Sequence, residues 1–204
     1  MNIRSFIQQH QLLSYFVLAY GITWSGIFIL LVSKGFDFTT IHTPETIFIF
    51  LIMFLGPSTS SLILTAVLDG RSGLSELGLR FTQWKGSWRW YAIALLTIPL
   101  LLLAILSVLS ATASPTFAPS FRIEGIAVGL LAGSLEEIGW TGFATPRLLK
   151  QFNVLTAGCL LGLLWSFWHM LADFSGNISA MGTGWILWFT IFWIVPLTAY
   201  RILM

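Results

Sequence analysis

Two adjacent glutamates, Glu136 and Glu137, close the apolar run 126–135, and His169 is the one histidine in the second half of the chain. Side-by-side carboxylates in low-dielectric surroundings cannot both ionise cheaply, so such a pair titrates as a unit and can supply both the base and the acid of a proton transfer. An imidazole facing them can hold a water, stabilise an oxyanion, or join a zinc shell of histidine and carboxylate ligands that keeps one open position. The plainer alternative is that the glutamates cap a helix near lipid headgroups while His169 bonds a backbone carbonyl. Spacing alone leaves both readings open.

The elements that position these residues follow from composition. Of 204 residues only 9% are charged and 56% are hydrophobic, whereas a soluble chain carries roughly a quarter charged residues. The chain reads as an all-α, polytopic transmembrane bundle, a single membrane domain over 1–204 with no internal repeat. A charge at membrane depth costs at least ~2.5–3.5 kcal/mol on insertion scales, so a carboxylate there is expected to have a function and a partner. Crossing a hydrocarbon core of about 30 Å takes about 20 helical residues. Six segments qualify: 12–32, 46–67, 91–111, 121–141, 154–172 and 180–200. The first is too long for a signal h-region of about 7–15 residues and has no small-residue cleavage pattern after it, so it reads as a retained span.

Eight basic residues, Arg4, Arg71, Arg80, Lys85, Arg89, Arg147, Lys150 and Arg201, fall in connections on one side and two, Lys34 and Arg122, on the other. That bias places both termini in the cytoplasm, and the membrane is expected to be a bacterial or archaeal plasma membrane. The net charge is only +2 and the basic residues are scattered, which argues against nucleic acid as a partner. In the polar stretch 69–90, Arg80, Lys85 and Arg89 alternate with Trp84, Trp88 and Trp90 as an interfacial anchor. Gly56-Pro57-Ser58-Thr59-Ser60-Ser61 is expected to kink the second span, and 113–120, with Pro115 and Pro119, to form an external loop. The single cysteine, Cys159, reads as a packing thiol.

Glu136 and His169 lie 33 residues apart, and the midpoint is Phe152–Asn153. A chain reversal there leaves each about 16 residues, or ~24 Å of helix, from the turn, and so at similar depth. Gly125, Gly129 and Gly133 on one helix and Gly158 and Gly162 on the other form small-residue stripes. The stripes predict that the two helices pack on one another at these glycines. Glu136 and His169 are then expected within about 8 Å, close enough to share a water.

The string Glu136-Glu137-Ile138-Gly139-Trp140-Thr141-Gly142-Phe143, then Pro146-Arg147-Leu148, then Leu164-Trp165-Ser166-Phe167-Trp168-His169 resembles the CPBP family of CAAX prenyl proteases and bacteriocin-processing or self-immunity proteins. Its motifs are a Glu-Glu pair followed by three residues and usually an arginine, and an aromatic residue four positions before a histidine. The resemblance is close over 121–169 and implies a catalytic region over about 121–204 in a membrane endopeptidase. It implies that Glu136 activates the water attacking a peptide bond near the membrane surface, that Glu137 supports the site, and that His169 binds the water or a metal. The family is described both as metalloproteases and as metal-independent glutamate proteases, so zinc held by His169 and Glu136 stays open. The implied partners are the lipid bilayer and a membrane-associated protein or peptide substrate.

Two departures stand out. Thr141 occupies the usual arginine position, so Glu137 is expected to keep at most a hydroxyl partner, Arg147 lying too far along the helix. The family also has a later histidine followed four residues on by asparagine or aspartate, and no histidine follows His169. A weak or inactive protease is therefore expected of this polypeptide unless another subunit completes the site. His10 and His42 flank the first two spans and are expected to bond water. Competing readings are a non-catalytic immunity or partner-binding membrane protein on the same scaffold, and a proton-coupled transporter with Glu136, Glu137 and His169 as relay.

Overall fold

Backbone amides immersed in lipid must be paired within the chain, and long apolar runs achieve this as helices. In the computed structural model every regular element among the described residues is helical. The structure describes residues 2–37, 41, 43–82, 86–120 and 123–203; His42, Trp84, Lys85 and Arg122, named above, lie outside these.

The order is α1 (Ile3–Gln9), α2 (Gln11–Ser33), α3 (Thr43–Thr82), α4 (Trp88–Thr112), a 3₁₀ turn (Pro115–Phe117), α5 (Ile123–Gly139), a π turn (Trp140–Ala144) and α6 (Thr145–Leu149). Then come α7 (Val154–Met181), a 3₁₀ turn (Gly182–Gly184), α8 (Trp185–Phe189), a second π turn (Thr190–Ile194) and α9 (Val195–Leu203). The chain reverses at the expected place: Asn153 caps α7, its Oδ1 accepting from the Thr156 amide at 2.9 Å, which satisfies one of the helix's free N-terminal donors.

Five helical segments among the described residues are long and apolar enough to span a bilayer: Gln11–Ser33, Pro44–Arg80, Trp88–Thr112, Val154–Ile178 and Gly182–Leu203. The fourth expected span takes a different form. Its α-helical part, α5, has 17 residues, and helical winding then continues through the π turn into α6. The widened turn accommodates an extra residue just past the glutamate pair, and Thr145 Oγ1 donates to the Trp140 carbonyl at 2.9 Å within it. Single π turns are frequent at functional sites.

The second span holds its proline and its backbone break at different places. α3 stays helical across Pro57, and its non-helical residue is Gly70, at φ 65° and ψ −154°, a conformation that favours glycine. Around Pro57, the Ser60 hydroxyl donates to the Gly56 carbonyl at 2.7 Å and Ser61 to the Ser58 carbonyl at 3.0 Å, so the serines serve backbone acceptors within the helix. Ser58 reaches outward to the Leu135 carbonyl at 2.6 Å and ties α3 to α5. Gly139 completes that junction, since a Cβ there would meet the Pro57 carbonyl oxygen at 2.5 Å.

The glycine expectation needs correcting. A Cβ at Gly129 or Gly133 would meet nothing within 4 Å, so that stripe faces open space. α5 packs chiefly on α3 and reaches α7 through the Trp165–Glu136 hydrogen bond. The other stripe does mark a contact, but with α9: a Cβ at Gly158 would lie 2.6 Å from the Arg201 carbonyl oxygen, and one at Gly162 2.5 Å from the Thr198 Cα. Backbone is what these glycines meet, and it can yield only if α9 moves. Gly162→Ala is therefore expected to cost about 1–3 kcal/mol by overpacking, whereas Gly133→Leu should leave the detergent unfolding midpoint unchanged. Equal midpoints for both variants would refute this assignment of the two faces.

The core joins α2, the first π turn and α7. Tyr15 stacks on Phe143 with centroids 5.1 Å apart and meets Trp140 edge-on at 5.6 Å, and Trp140 meets Trp168 edge-on at 5.4 Å. α2 also grips α7 by its carbonyls: Tyr20 OH donates to Leu164 O at 2.5 Å and Trp24 Nε1 to Trp168 O at 3.0 Å. These bonds flank the turn that carries Trp165 and His169.

Candidate active site

Glu136 and Glu137 are neighbours at the end of α5, so their side chains leave the helix about 100° apart and meet different surroundings. Glu136 is buried and its Oε2 accepts a hydrogen bond from the Trp165 indole N–H at 3.0 Å. Among the described residues it belongs to no ion pair.

Glu137 is held by a cation that sequence reasoning placed in a cytoplasmic connection. Arg201, on α9, is buried at 8% exposure. Its Nη2 donates to Glu137 Oε1 at 2.5 Å and its Nη1 to Oε2 at 3.1 Å, a bidentate pair, and Nη1 also donates to Thr141 Oγ1 at 2.9 Å. Thr141 in turn donates to Glu137 Oε2. Glu137 thus has a full guanidinium partner as well as the hydroxyl, which corrects the expectation drawn from Thr141. A residue of a distant helix supplies the charge that the family's motif usually places one turn downstream. The legible signal was the Gly158/Gly162 stripe, because Gly158 lets the Arg201 backbone lie against α7.

His169 is buried, and its Nδ1 lies 2.9 Å from the Trp165 carbonyl. A carbonyl only accepts, so Nδ1 carries the proton and Nε2 is left as the free ring atom. The plainer alternative foresaw this carbonyl bond, but Glu136 is buried and Glu137 is paired with Arg201. Trp193 stacks on the imidazole at 4.0 Å and 23°, and Trp168 meets it edge-on at 4.7 Å.

Trp165 links the three predicted residues. Its N–H serves Glu136, its carbonyl serves His169, and the Arg201 guanidinium lies over its ring at 4.2 Å. Arg147 acts elsewhere: it bonds Asp69 at 3.1 Å, Gln11 at 2.7 Å and the Phe143 carbonyl at 3.2 Å, fastening α6 to α2 and to the Gly70 break in α3. His10 lies exposed at the α1–α2 junction against Phe6.

The donor set does not make a metal shell. Among the described residues no three histidine, cysteine, aspartate or glutamate side chains come together in a group able to hold an ion. One imidazole and one carboxylate fall short of the three protein ligands of a catalytic zinc site.

Residues 118–200 match the family described as Rce1-like, type II CAAX prenyl endopeptidase Rce1-like. The matched segment contains the whole of the Glu136–His169 string. The chain is also similar to CAAX prenyl protease 2 of Methanococcus maripaludis, with 40% identity over 48 residues. That stretch is 24% of this chain and 18% of the archaeal protein. No solved structure matches.

Proposed function

We propose that this chain is a CPBP-type intramembrane endopeptidase that hydrolyses a peptide bond in a membrane-associated protein or peptide. The observation that carries the reading is the unequal treatment of the two glutamates: Arg201 clamps Glu137, while Glu136 meets the neutral indole donor of Trp165, whose carbonyl holds His169. The clamped carboxylate keeps its charge compensated. Glu136 is the one left to exchange a proton.

A water donating one hydrogen to Glu136 Oε1 and the other to His169 Nε2 keeps its lone pairs free for attack. As the water oxygen bonds the carbonyl carbon, its proton passes to Glu136, and the same proton then goes to the leaving amine nitrogen as the C–N bond breaks. Trp165 orients both acceptors, because it bonds each of them. The similarity to a CAAX prenyl protease supports a substrate presented at the membrane.

The test is a peptidase assay on the purified chain in lipid, with membrane-tethered peptides. Weak cleavage that survives exhaustive chelation is the expected result, since this route needs only water. Loss of cleavage on chelation with recovery on added zinc would overturn the water-only step, and absence of cleavage under all conditions would overturn the function.

A further inference from the structure

One helical turn beyond His169, Asp173 is a second buried carboxylate that the chemistry above does not use. It accepts four N–H bonds from neutral donors. Oδ1 takes Trp193 Nε1 at 2.8 Å, Asn177 Nδ2 at 3.0 Å and Trp188 Nε1 at 3.3 Å, and Oδ2 takes Trp185 Nε1 at 2.6 Å. Three of the four donors are indoles of the C-terminal helical run, so one anion gathers that run onto α7. A desolvated carboxylate needs such bonds, and each bond to a charged acceptor is stronger than one between neutral groups.

Trp193 connects this cluster to the active site. Its indole is fixed at the edge by Asp173, its face lies on the His169 ring at 4.0 Å, and its backbone carbonyl accepts from Ser166 Oγ at 3.1 Å. Held at edge, face and backbone, the indole forms a wall that limits rotation of the imidazole about its Cβ–Cγ bond and so keeps Nδ1 on the Trp165 carbonyl. The π turn at Thr190–Ile194 brings Trp193 to this position.

We propose that Asp173 is a positioning residue for His169, acting through Trp193: it fixes the indole plane against which the imidazole is aligned. As regards activity the proposal rests on the peptidase reading, but the alignment itself can be measured without turnover. Asp173→Asn keeps the side-chain shape and removes the charge that orders the indoles. Trp193→Phe keeps an aromatic face and removes the N–H.

The experiment uses the full chain in detergent micelles with His10→Gln and His42→Gln, so that His169 gives the only histidine ring signals. In the parent its ring protons should be shifted upfield by the stacked indole. Asp173→Asn should move them toward free-histidine positions in a protein with unchanged helix content. In lipid the same variant should lower kcat by up to about a hundredfold, the scale of a ~1 Å misplacement, with KM little changed. Adding Asp173→Asn to Trp193→Phe should then cost nothing further. Unmoved ring shifts in folded Asp173→Asn would overturn the proposal whatever the activity. If Asp173→Asn does not fold, Trp193→Phe decides, and a His169 environment in which only the ring-current term differs from the parent, with parent kcat, would overturn it. Ring shifts that move in a chain without peptidase activity would uphold the alignment and count against the peptidase reading alone.

Discussion

Replacing Arg201 with methionine is expected to destabilise the bundle by about 3 kcal/mol, because it leaves the Glu137 carboxylate largely buried without its cation. The Glu137 side chain is 27% exposed and that of Arg201 6%, so water offsets part of the loss, and the low end of the range for broken buried pairs applies. Two companion variants separate charge from packing. Glu137→Gln with Arg201→Met removes both charges and should recover most of the stability. Thr141→Arg in the Arg201→Met background moves the cation to the position the family usually uses, one turn from Glu137, and should recover part of it. Unfolding midpoints in detergent measure all three. An Arg201→Met protein as stable as the parent would show that the bidentate pair contributes nothing to the fold.

What could be read in advance divides along a physical line. Local signals were legible: apolar length gave the helices, Asn153 gave the start of α7 after a reversal, and the Glu-Glu and Trp-xxx-His patterns gave the residues that surround Trp165. Relations between distant helices were not. Arg201 ends an apolar run and counts as a loop charge in any tally along the chain, yet it points inward because α9 lies on the glycine face of α7. Small-residue spacing says that a face permits close approach without naming the neighbour. Gly158 and Gly162 found α9, and Gly129 and Gly133 were left open. Asp173 escaped for a related reason, since its three indole donors are 12, 15 and 20 residues away and gather only when the C-terminal run folds back. The π turn at Trp140–Ala144 was not foreseen, because an apolar count does not register one. The non-helical backbone at Gly70 was likewise not foreseen.

The same division of labour predicts opposite behaviour for the two adjacent glutamates. Glu136→Gln should lower kcat/KM by about 10²–10⁴, the usual contribution of a general base. It should alter stability by less than about 1 kcal/mol, since a glutamine carbonyl still accepts the Trp165 N–H and no ion pair is broken. Glu137→Gln leaves the Arg201 guanidinium buried beside a neutral amide. It should therefore destabilise the chain by an amount comparable to Arg201→Met, with activity falling as folded protein is lost. Neutralising Arg201 in the Glu137→Gln chain should then restore folding, whereas no second substitution at Arg201 should restore turnover to Glu136→Gln. Activity per folded molecule, from the peptidase assay and unfolding curves on the same preparations, distinguishes the two roles. If folded Glu137→Gln were inactive while Glu136→Gln kept parental turnover, the base would be Glu137, and the clamp by Arg201 would have to open during catalysis.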